Sequence, residues 1–160
     1  MLQRVQTIFL TLVFISMITA VLTPLWQKLD SQSTAGIQLT AIKITEYVDF
    51  SSSVIASESW TVYIAVLALM AAGVAAYSVT RYDNRLMQIK LGALNSLLMG
   101  GALVVAVYFA FQGAKLYDIG DKGAYLTGFY AIFAGLVFNV LANRFIRRDE
   151  QLVKSVDRIR

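Results

Sequence analysis

The two carboxylates closest to forming a catalytic pair are Asp118 and Asp121, three residues apart in a stretch that also holds Gly120 and Lys122. Two acids divide acid and base roles only where a cleft separates their pKa values. In a short Gly-containing turn, such a pair reads as solvated. The chain has no Cys and no His. Thiolate catalysis, a histidine proton switch, the usual zinc sites and haem held by His or Cys are therefore excluded. The polar groups nearest the apolar runs are the amides of Asn95 and Asn139 and the guanidiniums of Arg85, Arg144, Arg147 and Arg148. These groups hydrogen-bond and bind anions; they do not break bonds unaided. No enzymatic activity, cofactor or metal site is expected.

The elements carrying these groups are set by where charge is missing. Hydrophobic residues make up 58% of the 160 and charged residues 15%. The mean hydropathy is +0.63. Charge-free runs of 23, 22, 24 and 21 residues separate Arg4 from Lys28, Glu58 from Arg81, Lys90 from Lys115 and Lys122 from Arg144. A bilayer core roughly 30 Å thick takes about 20 apolar helical residues. The fold class expected is an all-α integral membrane protein, a bundle of four antiparallel transmembrane helices. A soluble enzyme, a nucleic-acid module and a disordered chain are excluded. The runs carry no acid or base at mid-span, which argues against a pump or ion-coupled transporter.

The formal charge of +4 is divided unevenly. With both termini on one side, that side holds ten basic and four acidic residues, a sum of +6. The other side holds four basic and six acidic, a sum of −2. The positive-inside rule then puts both termini and the middle turn in the cytoplasm. The first run is longer than a typical signal h-region and reads as a retained helix. Trp26 is expected in its interfacial belt.

Helices are expected at about residues 7–25, 59–80, 86–111 and 124–143. The first carries Thr11, Ser16, Thr19 and Thr23 on one half. These hydroxyls either bond their own i−4 carbonyls or form a stripe facing the bundle. In the third, Gly92, Ser96 and Gly100 form a ridge of small residues, and Asn95 beside it needs an interhelical hydrogen bond. A large residue at Gly100 is expected to disrupt packing. In the fourth, Ala131, Gly135, Asn139 and Asn143 share one face directed at helix three or helix one. Residues 27–58 form a periplasmic loop. Alternation over Gly36–Val48 predicts a short β element, with its phase slipping at Ala41–Ile42, where a bulge could sit, and a second strand over Val48–Ile55. Residues 144–160 read as a cytoplasmic helical tail. Its arginines face anionic lipid, while Leu152, Val153, Val156 and Ile159 make an apolar docking seam.

Three segments together carry a resemblance: residues 1–7 (MLQRVQT), 84–91 (NRLMQIKL) and 142–160 (ANRFIRRDEQLVKSVDRIR). The chain resembles the uncharacterised four-helix inner-membrane family of Bacteroidota known as domain of unknown function 4293. The resemblance implies a multi-pass bacterial inner-membrane protein and supplies no catalytic or binding residues. In outline the arrangement is also similar to that of claudins, without their cysteines or the Trp-containing signature of their first loop. That likeness bears on shape alone.

The expected function is that of a non-catalytic accessory or scaffold subunit of a larger inner-membrane complex. Protein export or insertion machinery is the favoured host. The alternative is a small lipid- or quinone-binding protein, with a groove at Tyr108, Phe129 and Phe133. Expected partners are other inner-membrane subunits and anionic lipid at the cytoplasmic face, and no nucleic acid.

Overall fold

Pro24 ends the first helix because it has no N–H to donate and disfavours helix in the residue before it. In the computed structural model, which describes residues 2–30, 35–81, 85–116 and 123–157, helix α1 spans Leu2–Leu22. The chain then turns into strand β1, Trp26–Leu29, with the Leu25 amide already donating to Leu39 O at 2.8 Å. Strands β2 (Gly36–Leu39), β3 (Lys43–Asp49) and β4 (Val54–Trp60) follow. Next come helices α2 (Val62–Thr80) and α3 (Arg85–Leu116), the two-residue strand β5 (Ala124–Tyr125) and helix α4 (Thr127–Asp157).

The four helices are all long and apolar enough to cross a membrane. They form a ring in which α1 packs on α2, α2 on α3, α3 on α4 and α4 back on α1. Buried positions recur at alternating spacings of three and four. On α1 these are Gln6, Leu10, Val13, Met17 and Ala20; on α4 they are Gly128, Ile132, Gly135, Asn139, Ala142 and Ile146. This is the geometry of left-handed bundle packing. The buried face of α2 is mostly alanine, from Ala65 to Ala75, so its backbone approaches its neighbours closely. The outward faces are apolar too, with Leu97 73% and Val104 70% exposed.

The strands form one antiparallel sheet in the order β4-β3-β2-β1-β5. It is larger than the one or two strands expected, because Ser59 and Trp60 belong to β4 and Ala124–Tyr125 pairs with Trp26–Gln27. The phase slip at Ala41–Ile42 is a hairpin turn, not a bulge. Thr40 closes it, its hydroxyl donating to Lys43 O at 2.8 Å and accepting from the Lys43 amide at 3.1 Å. The turn also seats α2: Ala41 O accepts from the Ala65 amide at 3.0 Å, and Ile42 O accepts from the Thr61 amide at 2.8 Å. The bulges lie further along, in β3 against β4 between Glu46 and Asp49. In the β3–β4 turn, the hydroxyls and amides of Ser51 and Ser52 hold the Asp49 carboxyl at about 2, below its ordinary 3.8.

Trp26 is not in an outer aromatic belt. It is 4% exposed, packed between the sheet and the bundle. A Cβ at Gly113 would stand 3.2 Å from its ring, and one at Gly123 would collide with the indole. Trp60 and Tyr63 are among the exposed aromatics at this end, at 73% and 68%. Lys28, buried beside Trp26, donates from Nζ to Ala114 O at 3.3 Å. It places a cation at the C-terminus of α3, where the helix dipole favours one. Helix α3 runs past its expected end near residue 111, to Leu116 beneath the sheet. Helix α4 continues without a break through most of the tail.

Candidate functional site

Two features at the end of the bundle opposite the sheet could serve function: a buried polar layer and the surface where α4 leaves the bundle. The layer begins at the α3–α4 seam. Asn139 is fully buried and donates from Nδ2 to Gly92 O and to Ser96 Oγ, both at 2.8 Å. Ser96 in turn donates to Gly92 O at 3.1 Å. Gly92 makes room for Asn143: a Cβ there would collide with its carboxamide, which would have to move. Gly135 fills the same role one level higher: a Cβ would meet Met17 Cε at 2.6 Å and Met99 Sδ at 3.4 Å. Ala131 is partly buried against the same core. The face of α4 thus meets both α1 and α3.

The ridge expected on α3 stops at Ser96. A Cβ at Gly100 has nothing within 4 Å, because residue 100 has turned off the seam while Met99, at 0% exposure, occupies it. Asn95 is buried at 1% exposure, yet neither its Oδ1 nor its Nδ2 has a hydrogen-bond partner. The interhelical amide bond expected of Asn95 is the one Asn139 makes. The threonines of α1 do not form a bonded stripe into the bundle. Thr11, Thr19 and Thr23 donate to the i−4 carbonyls of Thr7, Ile15 and Thr19 at 2.7–2.9 Å.

Sequence reading passed over three further members of the layer as core residues. Gln6, Ser78 and Gln88 are 4%, 2% and 3% exposed. Gln88 Nε2 donates to Ser78 O at 3.0 Å, which ties α3 to the last turn of α2. Gln6 and Gln88 continue the three-four spacing of the buried residues on their helices, a register set by the packing of the bundle. Six polar atoms of the layer have no hydrogen-bond partner: Gln6 Nε2, Ser78 Oγ, Gln88 Oε1, Asn139 Oδ1 and both on Asn95. Such groups cost about 1–3 kcal/mol each unless satisfied. The layer offers neutral donors and acceptors; among the described residues, the only buried charged side chain in the protein is Lys28, at the sheet.

The second feature is the α4 surface. Arg85 opens α3 and reaches across to α4, donating from Nη1 to Asp149 O at 2.9 Å and pairing Nη2 with Asp149 Oδ2 at 3.1 Å. The contact ties the first residue of α3 to α4 at Asp149. Arg144, Arg147 and Arg148 are exposed, as is Leu152, at 50%. The side chain of Val156, the whole of Ile159 and the acids Asp118 and Asp121 lie outside the described residues. Aromatic stacking supports α4 from the α1 side, with Phe9 5.5 Å from Phe145 and 6.3 Å from Phe138.

Tyr108 does not share a groove with Phe129 and Phe133. It lines an apolar cavity of about 770 Å³ between α2 and α3, with Trp60, Tyr63, Val66 and Phe109. Phe129 instead stands 4.2 Å from Tyr125, and Phe133 is 57% exposed.

The match that decides kinship covers residues 2–159, nearly the whole chain, and is to the model of a domain of unknown function, DUF4293. The chain belongs to the DUF4293 family. The family description assigns no activity, so the functional reading rests on the site itself. No curated protein matches the chain.

Proposed function

We propose that this DUF4293 protein is a multi-pass protein of the bacterial inner membrane that serves as a non-catalytic accessory or scaffold subunit of a larger complex. Both termini and the α2–α3 turn lie in the cytoplasm, and the sheet lies outside. The charge asymmetry of +6 against −2 supports that orientation.

One observation carries the reading. Helix α4 runs on for 14 residues past its charge-free stretch, from Arg144 to Asp157, with Arg85 bound to it at Asp149. An apolar residue, Leu152, stands exposed on that projection. A rigid helix leaving the bundle with an exposed apolar residue suits docking to a partner subunit. The lack of Cys and His, and of mid-span acids or bases, supports a role without bond-breaking chemistry. The favoured host is protein export or insertion machinery.

A tag in the sheet loops, extraction in mild detergent and mass spectrometry of the native particle test this. A stoichiometric membrane partner is expected, and truncation after Arg148 should release it while the protein stays inserted. A partner-free particle, or a partner held equally well after truncation, overturns the docking role.

A second reading, a lipid- or quinone-binding protein, is favoured by the apolar cavity at Tyr108. A neutral isoprenoid or lipid recovered at fixed stoichiometry, and lost in Tyr108→Ala, would support it.

A further inference from the structure

A groove of about 850 Å³ runs along the α3–α4 crease on the outside of the bundle. Toward mid-bundle it is walled by Ala93, Ser96 and Val140. Ala93 is too small to fill the crease, and Val140 is left 58% exposed beside it. The other end is lined by Asn143, Arg144, Arg147 and Arg148. Val140, Arg144, Arg147 and Arg148 are spaced i, i+4, i+7 and i+8, so helical periodicity aligns them along one face.

The charge of this end is not neutralised. Among the described residues, none of the three arginines forms an ion pair; Arg85 has engaged Asp149, the acid next to Arg148 in sequence. The groove is thus apolar along one half and cationic along the other. The change falls at residue 144, where the charge-free stretch of α4 ends. An amphiphile with an anionic head has the same polarity profile. Guanidinium groups bind phosphate oxygens through paired N–H donors.

We infer that the α3–α4 groove is a site for one anionic phospholipid. Its phosphate lies against Arg144, Arg147 and Arg148, and an acyl chain runs between Ala93 and Val140. This rests on the membrane reading above and goes beyond a diffuse attraction of basic residues to the bilayer surface. A free phosphate would use only the cationic half.

The test uses the full-length protein. Carbonate extraction of membranes is done first, and the protein is then placed in phosphatidylcholine nanodiscs containing dioleoylphosphatidylglycerol. Retained lipids are counted by native mass spectrometry, with inorganic phosphate as competitor. One phosphatidylglycerol should be retained in preference to phosphatidylcholine, and millimolar phosphate should not displace it. Arg147→Gln should weaken retention about fivefold, the loss of one near-surface cation. Arg81→Gln removes the same charge away from the groove and should leave retention unchanged. Ala93→Phe fills the apolar half without changing charge and should also weaken it.

Equal effects of Arg81→Gln and Arg147→Gln, or none from Ala93→Phe, would mean diffuse electrostatics and overturn the site. Displacement by phosphate would make it a soluble-anion site instead. A protein found in the carbonate-soluble fraction overturns the membrane reading and the lipid site together. A protein that stays in the membrane yet retains no phosphatidylglycerol overturns the lipid site alone.

Discussion

Gly92 and Gly100 lie two helical turns apart and look alike in sequence, yet a side chain would meet different surroundings at each. At Gly92 it would drive into Asn143 and disturb the carbonyl that accepts from Asn139. At Gly100 it would project into open space. Gly92→Leu should therefore destabilise the protein by about 1–3 kcal/mol, the range for overpacking a close contact. Gly100→Leu should stay within about 0.5 kcal/mol of the parent. Unfolding in a mixed-detergent titration measures both. Equal losses would mean that residue 100 also faces a neighbour. The spacing of small residues was legible, but not how far the seam follows it. A helix turns about 100° per residue, so a strict four-residue ridge drifts off a straight contact. Met99 continues the seam in place of Gly100.

The elements were legible to different depths. Four apolar helices follow from four charge-free runs, because a run of about twenty apolar residues satisfies its own backbone amides only as a helix, and a membrane strand would need only about ten. The sheet was legible only in part. Its alternation marked Ile37–Leu39 and Ile42–Thr45, but strand pairing depends on partners distant in sequence. Tyr125 opposing Trp26 across about a hundred residues leaves no local trace. Trp26 shows the same limit: a tryptophan after an apolar helix reads as an interfacial anchor, and here it is the plug between sheet and bundle. The Gly123→Ala change should place a methyl against its indole and cost about 1–3 kcal/mol. Near-UV circular dichroism and the Trp26 emission maximum would report the displaced ring. An unchanged spectrum and midpoint would show that the loop accommodates the methyl.

At the scale of the whole molecule, the sheet and the arginine groove sit at opposite ends of the bundle. The proposed orientation sends one outward and the other into the cytoplasm. Single cysteines can be introduced without background, since the chain has none. Ser52→Cys, in the β3–β4 turn, should react with a membrane-impermeant maleimide in intact spheroplasts. Arg81→Cys should react only after permeabilisation. The reverse pattern would invert the topology and put the groove outside. Arg85 links this scale to the others, since one side chain at the start of α3 ties that helix to the last third of α4. Its basic character was legible in the sequence; its pairing with Asp149, 64 residues away, was not.

The sequence by itself determined the number of long apolar helices, the uneven charge and the absence of thiol and imidazole chemistry, because these depend on composition and on runs of neighbouring residues. Membership of the DUF4293 family was also carried by the linear order of residues. Only the tertiary structure decided which amide makes the interhelical bond, that Gln6, Ser78 and Gln88 are interior, and that three arginines border an apolar crease. In helices apolar on every side, hydrophobicity does not mark the inner face. The inner face is chosen by shape, where a small residue on one helix admits a large one from the next, and that fit exists only once all four helices are in place.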